Sequence, residues 1–379
     1  MKVAILAAYR TPIGKFGGSL ASLSAVDLGT QALQATLQKA GLEPGLVDLS
    51  ITGLARQAGC GPNPGRQIAV RAQIPASTPA YTLNQACASG LWSIMAAARH
   101  IALGEADLVA AIGCESMSNV PYLLPKARWG QKMGHLPLVD GMYQDGLFCP
   151  LCDKIMGETV EGLAQELGIS RTQQDEFALR SQQLARVADF AQEYVSLPQL
   201  DSDEHARPST TLESLARLAP VFSKEGTLTA GNSSGITDGA AVVLLASPKF
   251  LEQHQVRPWA HYLGGVVVGL EPDRMGLGPV PALRAYHQKQ GTSVRSFDWF
   301  EINEAFAAQV LACQNELHLP EEKLNPRGGS IALGHPIGCS GARIAVTLLH
   351  GLQARGGGRG LASLCVSGGM GICAGFELS

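Results

Sequence analysis

Both ends of this chain run through the same succession of short apolar strands and amphipathic helices, and the two runs align when the sequence is shifted by 251 residues. Ser89-Gly90 then falls on Ser340-Gly341, Cys114 on Cys365 and Ser116 on Ser367. Each pair bounds the same order of loop, helix and buried strand, the mark of an internal repeat. A repeated strand–helix unit can bury its apolar faces only by laying helices over a parallel or mixed sheet. The repeat therefore predicts a fold of two halves, in which Asn84–Cys87 and His335–Gly338 occupy equivalent loops leading into helices.

The first half shows a strand at Val3–Ala7, a helix at Ala25–Ala40 stopped by Gly41, and a strand at Ala80–Leu83. A second helix, Leu91–Leu103, presents Leu91, Ile94, Met95, Ala98, Ile101 and Ala102 at helical spacing and is stopped by Gly104. Leu108–Ile112 reads as a buried strand. Residues 119–218 depart from the alternation, with Pro- and Gly-rich turns and helices over about 157–167 and 171–192, the second capped by a Thr172…Asp175 pair. Long excursions of this kind are usually functional. The strand pattern returns at Ala240–Ala246 and the alternation from residue 256. The expected division is 1–118 plus 219–250, 119–218, and 251–379.

Lys plus Arg (29) nearly balances Asp plus Glu (32), which excludes nucleic acid as the main partner. Only 16% of residues are charged, which favours an oligomer with covered surface. No apolar run reaches the roughly 18 residues of a membrane span, and the chain opens on a strand rather than a signal core. The C-terminal Glu377-Leu378-Ser379 is not a peroxisomal tripeptide, so a cytoplasmic protein without a membrane partner is expected. The nine cysteines read as reduced thiols. Cys149-Pro150-Leu151-Cys152 reads as two thiols in a loop, since a metal site would want further ligands at the right spacing.

Four residues at strand-to-helix junctions could carry chemistry. Cys87, in Asn84-Gln85-Ala86-Cys87-Ala88-Ser89-Gly90, stands where free N–H groups and a helix dipole favour thiolate, although a buried structural cysteine is as good a reading of it alone. His335 precedes Pro336 and is therefore pushed out of helical geometry, within a run of glycines that lets the backbone approach a ligand or another chain. Cys365 ends an apolar strand before Ser367-Gly368-Gly369, and Asn303 follows the strand Trp299–Ile302, where capping a helix is its ordinary role. Together they form a thiol, a base, a second thiol and an amide, the set that acyl transfer through a thioester requires.

With these segments the chain resembles the thiolases, the family of acetyl-CoA acetyltransferase and 3-ketoacyl-CoA thiolase. The similarity runs nearly end to end, through Arg10–Gly18, the Cys87 segment, Thr229–Gly235, Met275–Pro281, Asn303–Phe306, Gly334–Gly338 and the Cys365 segment. The resemblance implies a five-layer αβαβα sandwich of two duplicated halves with an inserted loop domain. It implies Cys87 as acylated nucleophile, His335 as its base and Cys365 as the acid and base at the substrate α-carbon. Asn303 would hold a water that joins His335 in an oxyanion hole, and the N–H groups of Cys87 and Ser367 would form a second hole. Arg207 and Met156 would contact coenzyme A, as would the position of Gly264, where relatives often carry serine. Acyl-CoA and CoA would be the partners. No metal and no cofactor is implied, since coenzyme A is itself a substrate.

Residues 128–142 resemble the loop through which related enzymes form tetramers, so a homotetramer or homodimer is expected. Ser367 stands for a usual glycine, Arg327 for an asparagine and Ile155 for a histidine, and the stretch 193–208 is short, which predicts weaker CoA contacts. The implied activity is condensation of two acetyl-CoA to acetoacetyl-CoA, or the reverse thiolysis. The alternatives are a degradative thiolase of fatty-acid metabolism with longer chains and a non-catalytic CoA- or lipid-binding relative. The decarboxylating condensing enzymes share the fold but lack the second thiol.

Overall fold

The computed structural model describes residues 2–130 and 132–378. The first half runs through β1 (Val3–Arg10), α1 (Ala25–Ala40), β2 (Leu49–Gly53), α2 (Pro64–Arg71), β3 (Ala80–Leu83), α3 (Ser89–Ala102) and β4 (Leu108–Ser116). A long excursion with α4 (Met156–Glu166) and α5 (Arg171–Val187) intervenes before β5 (Thr237–Ala246) completes the unit. The second half comprises β6 (Ala260–Gly269), α6 (Pro279–Gln290), β7 (Trp299–Ile302), α7 (Ala307–Leu317), α8 (Ile337–Ala354), β8 (Gly358–Val366) and β9 (Met370–Leu378).

The duplication is visible in the pairing. Strand order is β3-β2-β4-β5-β1 in one half and β7-β8-β9-β6 in the other. The β2–β4 and β7–β8 ladders are parallel, while β4–β5, β8–β9, β5–β1 and β9–β6 are antiparallel. The two sheets join only where Val3 to Ile5 of β1 meet Ala260 to Tyr262 of β6. The residues that the shift sets opposite β3 form a short helix, Ser330–Leu333, instead of a strand.

Three cores define the layers. Leu91, Ile94 and Met95 of α3 share the inner core with Ala345, Leu348 and Leu352 of α8 and with Val109, Val243, Leu364 and Ile372 of the two sheets. Leu28, Leu33 and Ile68 of α1 and α2 pack on Ile112 and Leu244 on one outer face. Leu283 and Val310 of α6 and α7 pack on Phe300 and Leu361 on the other. The result is the αβαβα sandwich. Because β4 is buried on both faces, it reads as an apolar run without alternation.

The repeated Ser-Gly pairs mark where α3 and α8 cross. A Cβ on Gly90 would sit 2.6 Å from the Ala342 nitrogen, and one on Gly341 would sit 2.3 Å from the Leu91 nitrogen. Only glycine allows the two backbones to approach so closely. The α8 stretch from Ile337 to Leu352 is buried all round, Arg343, Thr347 and His350 included.

The inserted segment is anchored by charge. Arg10 is fully buried and bonds Glu193 at 2.6 Å and Asp203 at 2.7 and 3.0 Å, fastening residues 193–203 to the end of β1. Losing one partner of such a pair costs more than the pair contributes, because a charge is left buried alone. After β4 ends at Ser116 the chain rejoins the central sheet as a long strand at Thr237. Helix α5 is capped by Ser170 with Gln173, not by Thr172 and Asp175; Asp175 instead pairs with Arg171 at 2.7 Å. It ends at Val187, and Phe190 turns back to cover Arg10.

Candidate active site

The loops at the N-termini of α3 and α8 and those after β2 and β8 converge on one small cavity. Cys87, His335, Cys365 and Ser367 line it together with Arg56 and Met275, in a space of about 70 Å³. Leu147, Met156, Ser234, Phe306, His335 and Ile337 also line a neighbouring apolar cavity of about 430 Å³ that extends past Ile155, Tyr143 and Phe222.

Cys87 is set in a turn that its neighbours lock. Ala86 adopts a left-handed φ of 46°, a conformation that costs a non-glycine residue about 1 kcal/mol or more. The Asn84 carboxamide oxygen accepts the Ala86 N–H, and Ser89 Oγ accepts the Gln85 N–H while donating to the Ala86 carbonyl. The Cys87 sulfur accepts its own N–H and that of Ser367. These donors and the Arg56 charge pull its pKa down, yet burial outweighs them and holds it above the ordinary thiol value. The expected resting thiolate is therefore corrected to a thiol, and nucleophilic use of Cys87 needs a base.

His335 lines the same cavity. Its ring is buried, and burial with the Arg343 and Arg56 charges pushes its pKa down to about 3. The tautomer follows from the hydrogen bonds. Ser340 Oγ donates to the Pro336 carbonyl, so it accepts from His335 Nδ1–H and leaves Nε2 with a lone pair. Asn303 Nδ2 faces that lone pair at 3.4 Å. Asn303 Oδ1 accepts from Ser330 Oγ at 2.7 Å, and Ser330 Oγ accepts from Arg343 Nη2 at 2.7 Å. One chain of donors thus orients both amide and imidazole. Asn303 does not cap a helix, since α7 starts only at Ala307.

Cys365 ends β8 fully enclosed, and burial together with the nearby Cys87 and Cys313 raises its thiol well above the usual value. Ser367 tolerates the site because the left-handed angles of this turn fall on Gly368 (φ 85°) and Gly369 (φ 83°). Glu115, at the end of β4, braces the site from below. Its carboxylate accepts N–H groups from Ala55, Arg56 and Gly338, tying the β2 loop to the start of α8, and burial raises its pKa to about 7.

Other sequence expectations fall elsewhere. Met156 and Ile155 line the larger cavity. Gly264 lies in β6 paired with Gly375, at φ 118° and with Gln290 against its α-carbon, and lines neither cavity; the serine that lines both is Ser234. Arg207 is exposed and lines neither cavity. Arg327 turns away to pair with Glu193 at 2.8 Å. Arg56 escaped the sequence reading; its signal was a position directly after a parallel strand, where strand ends of this class of sheet converge on ligands.

Fold and site are those of an acyl-transfer enzyme, and comparison with known proteins agrees. The model of the thiolase N-terminal domain matches residues 3–249, and that of the C-terminal domain matches 256–377. The chain belongs to the thiolase family. It is 46% identical over 390 aligned residues to the acetyl-CoA acetyltransferase of Chromobacterium violaceum, covering 100% of both chains. It is 45% identical to a probable acetyl-CoA acyltransferase of Staphylococcus aureus, covering 98% of each. Among solved structures, human mitochondrial 3-ketoacyl-CoA thiolase in complex with CoA matches at a TM-score of 0.97 and 40% identity, covering 100% of this chain and 98% of that one. The Bacillus anthracis acetyl-CoA acetyltransferase matches at 0.97 and 42%, covering 100% and 99%.

Proposed function

We propose that this protein is an acyl-CoA thiolase that condenses two acetyl-CoA to acetoacetyl-CoA and CoA, and runs the reverse thiolysis, through an acyl group on Cys87. The observation that carries this reading is the single small cavity lined by Cys87, His335 and Cys365. His335 Nε2 takes the Cys87 proton as the sulfur attacks the thioester carbonyl. The developing oxyanion lies against the N–H groups of Cys87 and Ser367, each worth about 3 kcal/mol of barrier in such holes. The departing CoA sulfur takes the Cys365 proton. The Cys365 thiolate so formed then removes an α-proton from the second acetyl-CoA, and the enolate oxygen is held by His335 and a water on Asn303. The enolate carbon attacks the acetyl carbonyl, the carbon–sulfur bond to Cys87 breaks, and the Cys87 thiolate takes back its proton from His335.

The apolar cavity beyond Phe222 and Met156 suits the pantetheine arm, and Arg207 at the surface is available to the nucleotide end of CoA. No metal or redox group takes part; CoA is a substrate. Short acyl groups are favoured over the long chains of a degradative thiolase, because a long alkyl chain leaving this cavity would meet the buried Arg56. A cytoplasmic homotetramer or homodimer fits the low charge and the exposed Trp129 and Met133. The test is thiolysis of acetoacetyl-CoA against C8 and C16 3-oxoacyl-CoA, with mass spectrometry of Cys87 after acetyl-CoA alone. Absence of an acetyl group on Cys87 would overturn the proposal.

A further inference from the structure

One charged group in the catalytic cavity acts on Cys87 and His335 through its charge but bonds no reacting atom in the chemistry above. Arg56 follows β2 and is only 6% exposed, yet its Nε has no hydrogen-bond partner among the described residues. The neighbouring Glu115 carboxylate is occupied by the backbone N–H groups of Ala55, Arg56 and Gly338 and not by the guanidinium. The Arg56 head packs on Gly146, where a Cβ would come within 1.8 Å of Nη2, so glycine at that place leaves the room in which it lies. It lines the cavity beside Cys87 and also a surface pocket of about 390 Å³ to which Arg71 contributes. A buried cation is costly unless an anion meets it. Arg343, the other buried arginine near the site, at least bonds Ser330.

Resting on the thiolase reading, we infer that Arg56 selects substrates whose acyl chain ends in a carboxylate, and that the enzyme cleaves short ω-carboxy 3-oxoacyl-CoA. Arginine suits this task because its planar fork can grip a carboxylate with two parallel hydrogen bonds. In thiolysis Cys87 sulfur attacks the C3 carbonyl and the C2–C3 bond breaks. The C2 carbanion takes a proton from Cys365 and leaves as acetyl-CoA. The ω-carboxyacyl group stays on Cys87 as a thioester, its carboxylate on Arg56. The thiol of free CoA then attacks that thioester, forming ω-carboxyacyl-CoA and restoring the Cys87 thiol, while the CoA proton returns to Cys365. No oxidant or other co-reactant enters.

The test compares 3-oxoadipyl-CoA with 3-oxohexanoyl-CoA, which share six carbons in the acyl chain and differ in the terminal carboxylate. For the wild type, kcat/KM should be about 10- to 100-fold higher for the carboxylate substrate, the usual weight of a hydrogen-bonded charge. Arg56→Leu should reverse the preference, and Arg56→Lys should restore part of it. A wild type that favours 3-oxohexanoyl-CoA overturns the inference whatever the variants do. So does an Arg56→Leu enzyme that loses both substrates in equal proportion, which would assign the charge to Cys87 or to folding. If the wild type forms no acetyl-Cys87 and cleaves neither substrate, the thiolase reading itself fails. If it acylates and cleaves acetoacetyl-CoA but shows no preference, only the Arg56 inference falls.

Discussion

Ser330→Ala should separate the orientation of the catalytic amide from its presence. The substitution removes one oxygen that donates to Asn303 Oδ1 and accepts from Arg343 Nη2, both at 2.7 Å. Arg343 Nε and Nη1 already lack partners, so the variant leaves a fully buried guanidinium with no bond to a described residue. The lost bond to a charged group is worth about 1.5–3 kcal/mol and the neutral one about 1, so stability should fall by about 2.5–4 kcal/mol. Catalytically, Asn303 is free to turn its oxygen towards His335 Nε2, where two lone pairs repel. The kcat for thiolysis of acetoacetyl-CoA should fall about 10- to 100-fold, the usual effect of a misplaced catalytic group. Acetyl transfer to Cys87 should suffer less, since its oxyanion donors are backbone N–H groups. Urea unfolding, steady-state thiolysis and a double-mutant cycle with Asn303→Ala measure these effects. If Ser330 acts through Asn303, the double variant is no slower than Asn303→Ala alone. Additive losses, or wild-type kcat in Ser330→Ala, would refute the reasoning.

Cys365→Ser should still accept an acetyl group from radiolabelled acetyl-CoA but thiolyse about 10²–10⁴-fold more slowly, whereas Cys87→Ala should do neither; acylation in the Cys87 variant would reverse the assignment of the two thiols. His335 is held near pKa 3 against an ordinary 6.5, so the folded state binds fewer protons than the unfolded one. Its contribution to stability is complete above pH 6.5 and is lost as pH falls towards 3; a His335→Asn variant should lose stability less steeply there, by up to about 1.4 kcal/mol per pH unit in urea titrations. A Cβ on Gly338 would lie 2.6 Å from the Cys114 carbonyl and 2.8 Å from the Ala55 nitrogen, so Gly338→Ala must displace the start of α8. It should cost about 1–3 kcal/mol and lower kcat with it; wild-type Tm and turnover would show that the junction yields freely.

The repeat, the layers and the helix faces were legible in the sequence because they rest on periodicity, and local spacing survives folding. Ala25–Ala40 begins with a Ser24 cap and ends on Gly41 in the left-handed conformation, and both signals sit within one turn of the helix they bound. The Ser-Gly pairs were legible as a repeat, while their cause, the crossing of α3 and α8, appeared only once Gly90 met Ala342. Cys87, His335, Cys365 and Asn303 could be named from motif positions. The sign of their electrostatics could not, since burial raises Cys87 where the helix dipole alone would lower it. Tertiary structure also decided which oxygen orients Asn303, placed Ser234 rather than Gly264 on the cavity wall, and set Arg56 beside Cys87. Each of these depends on residues far apart in the chain meeting at the ends of strands, and the distances that fix a proton, a charge or a lone pair arise only where separate elements pack together.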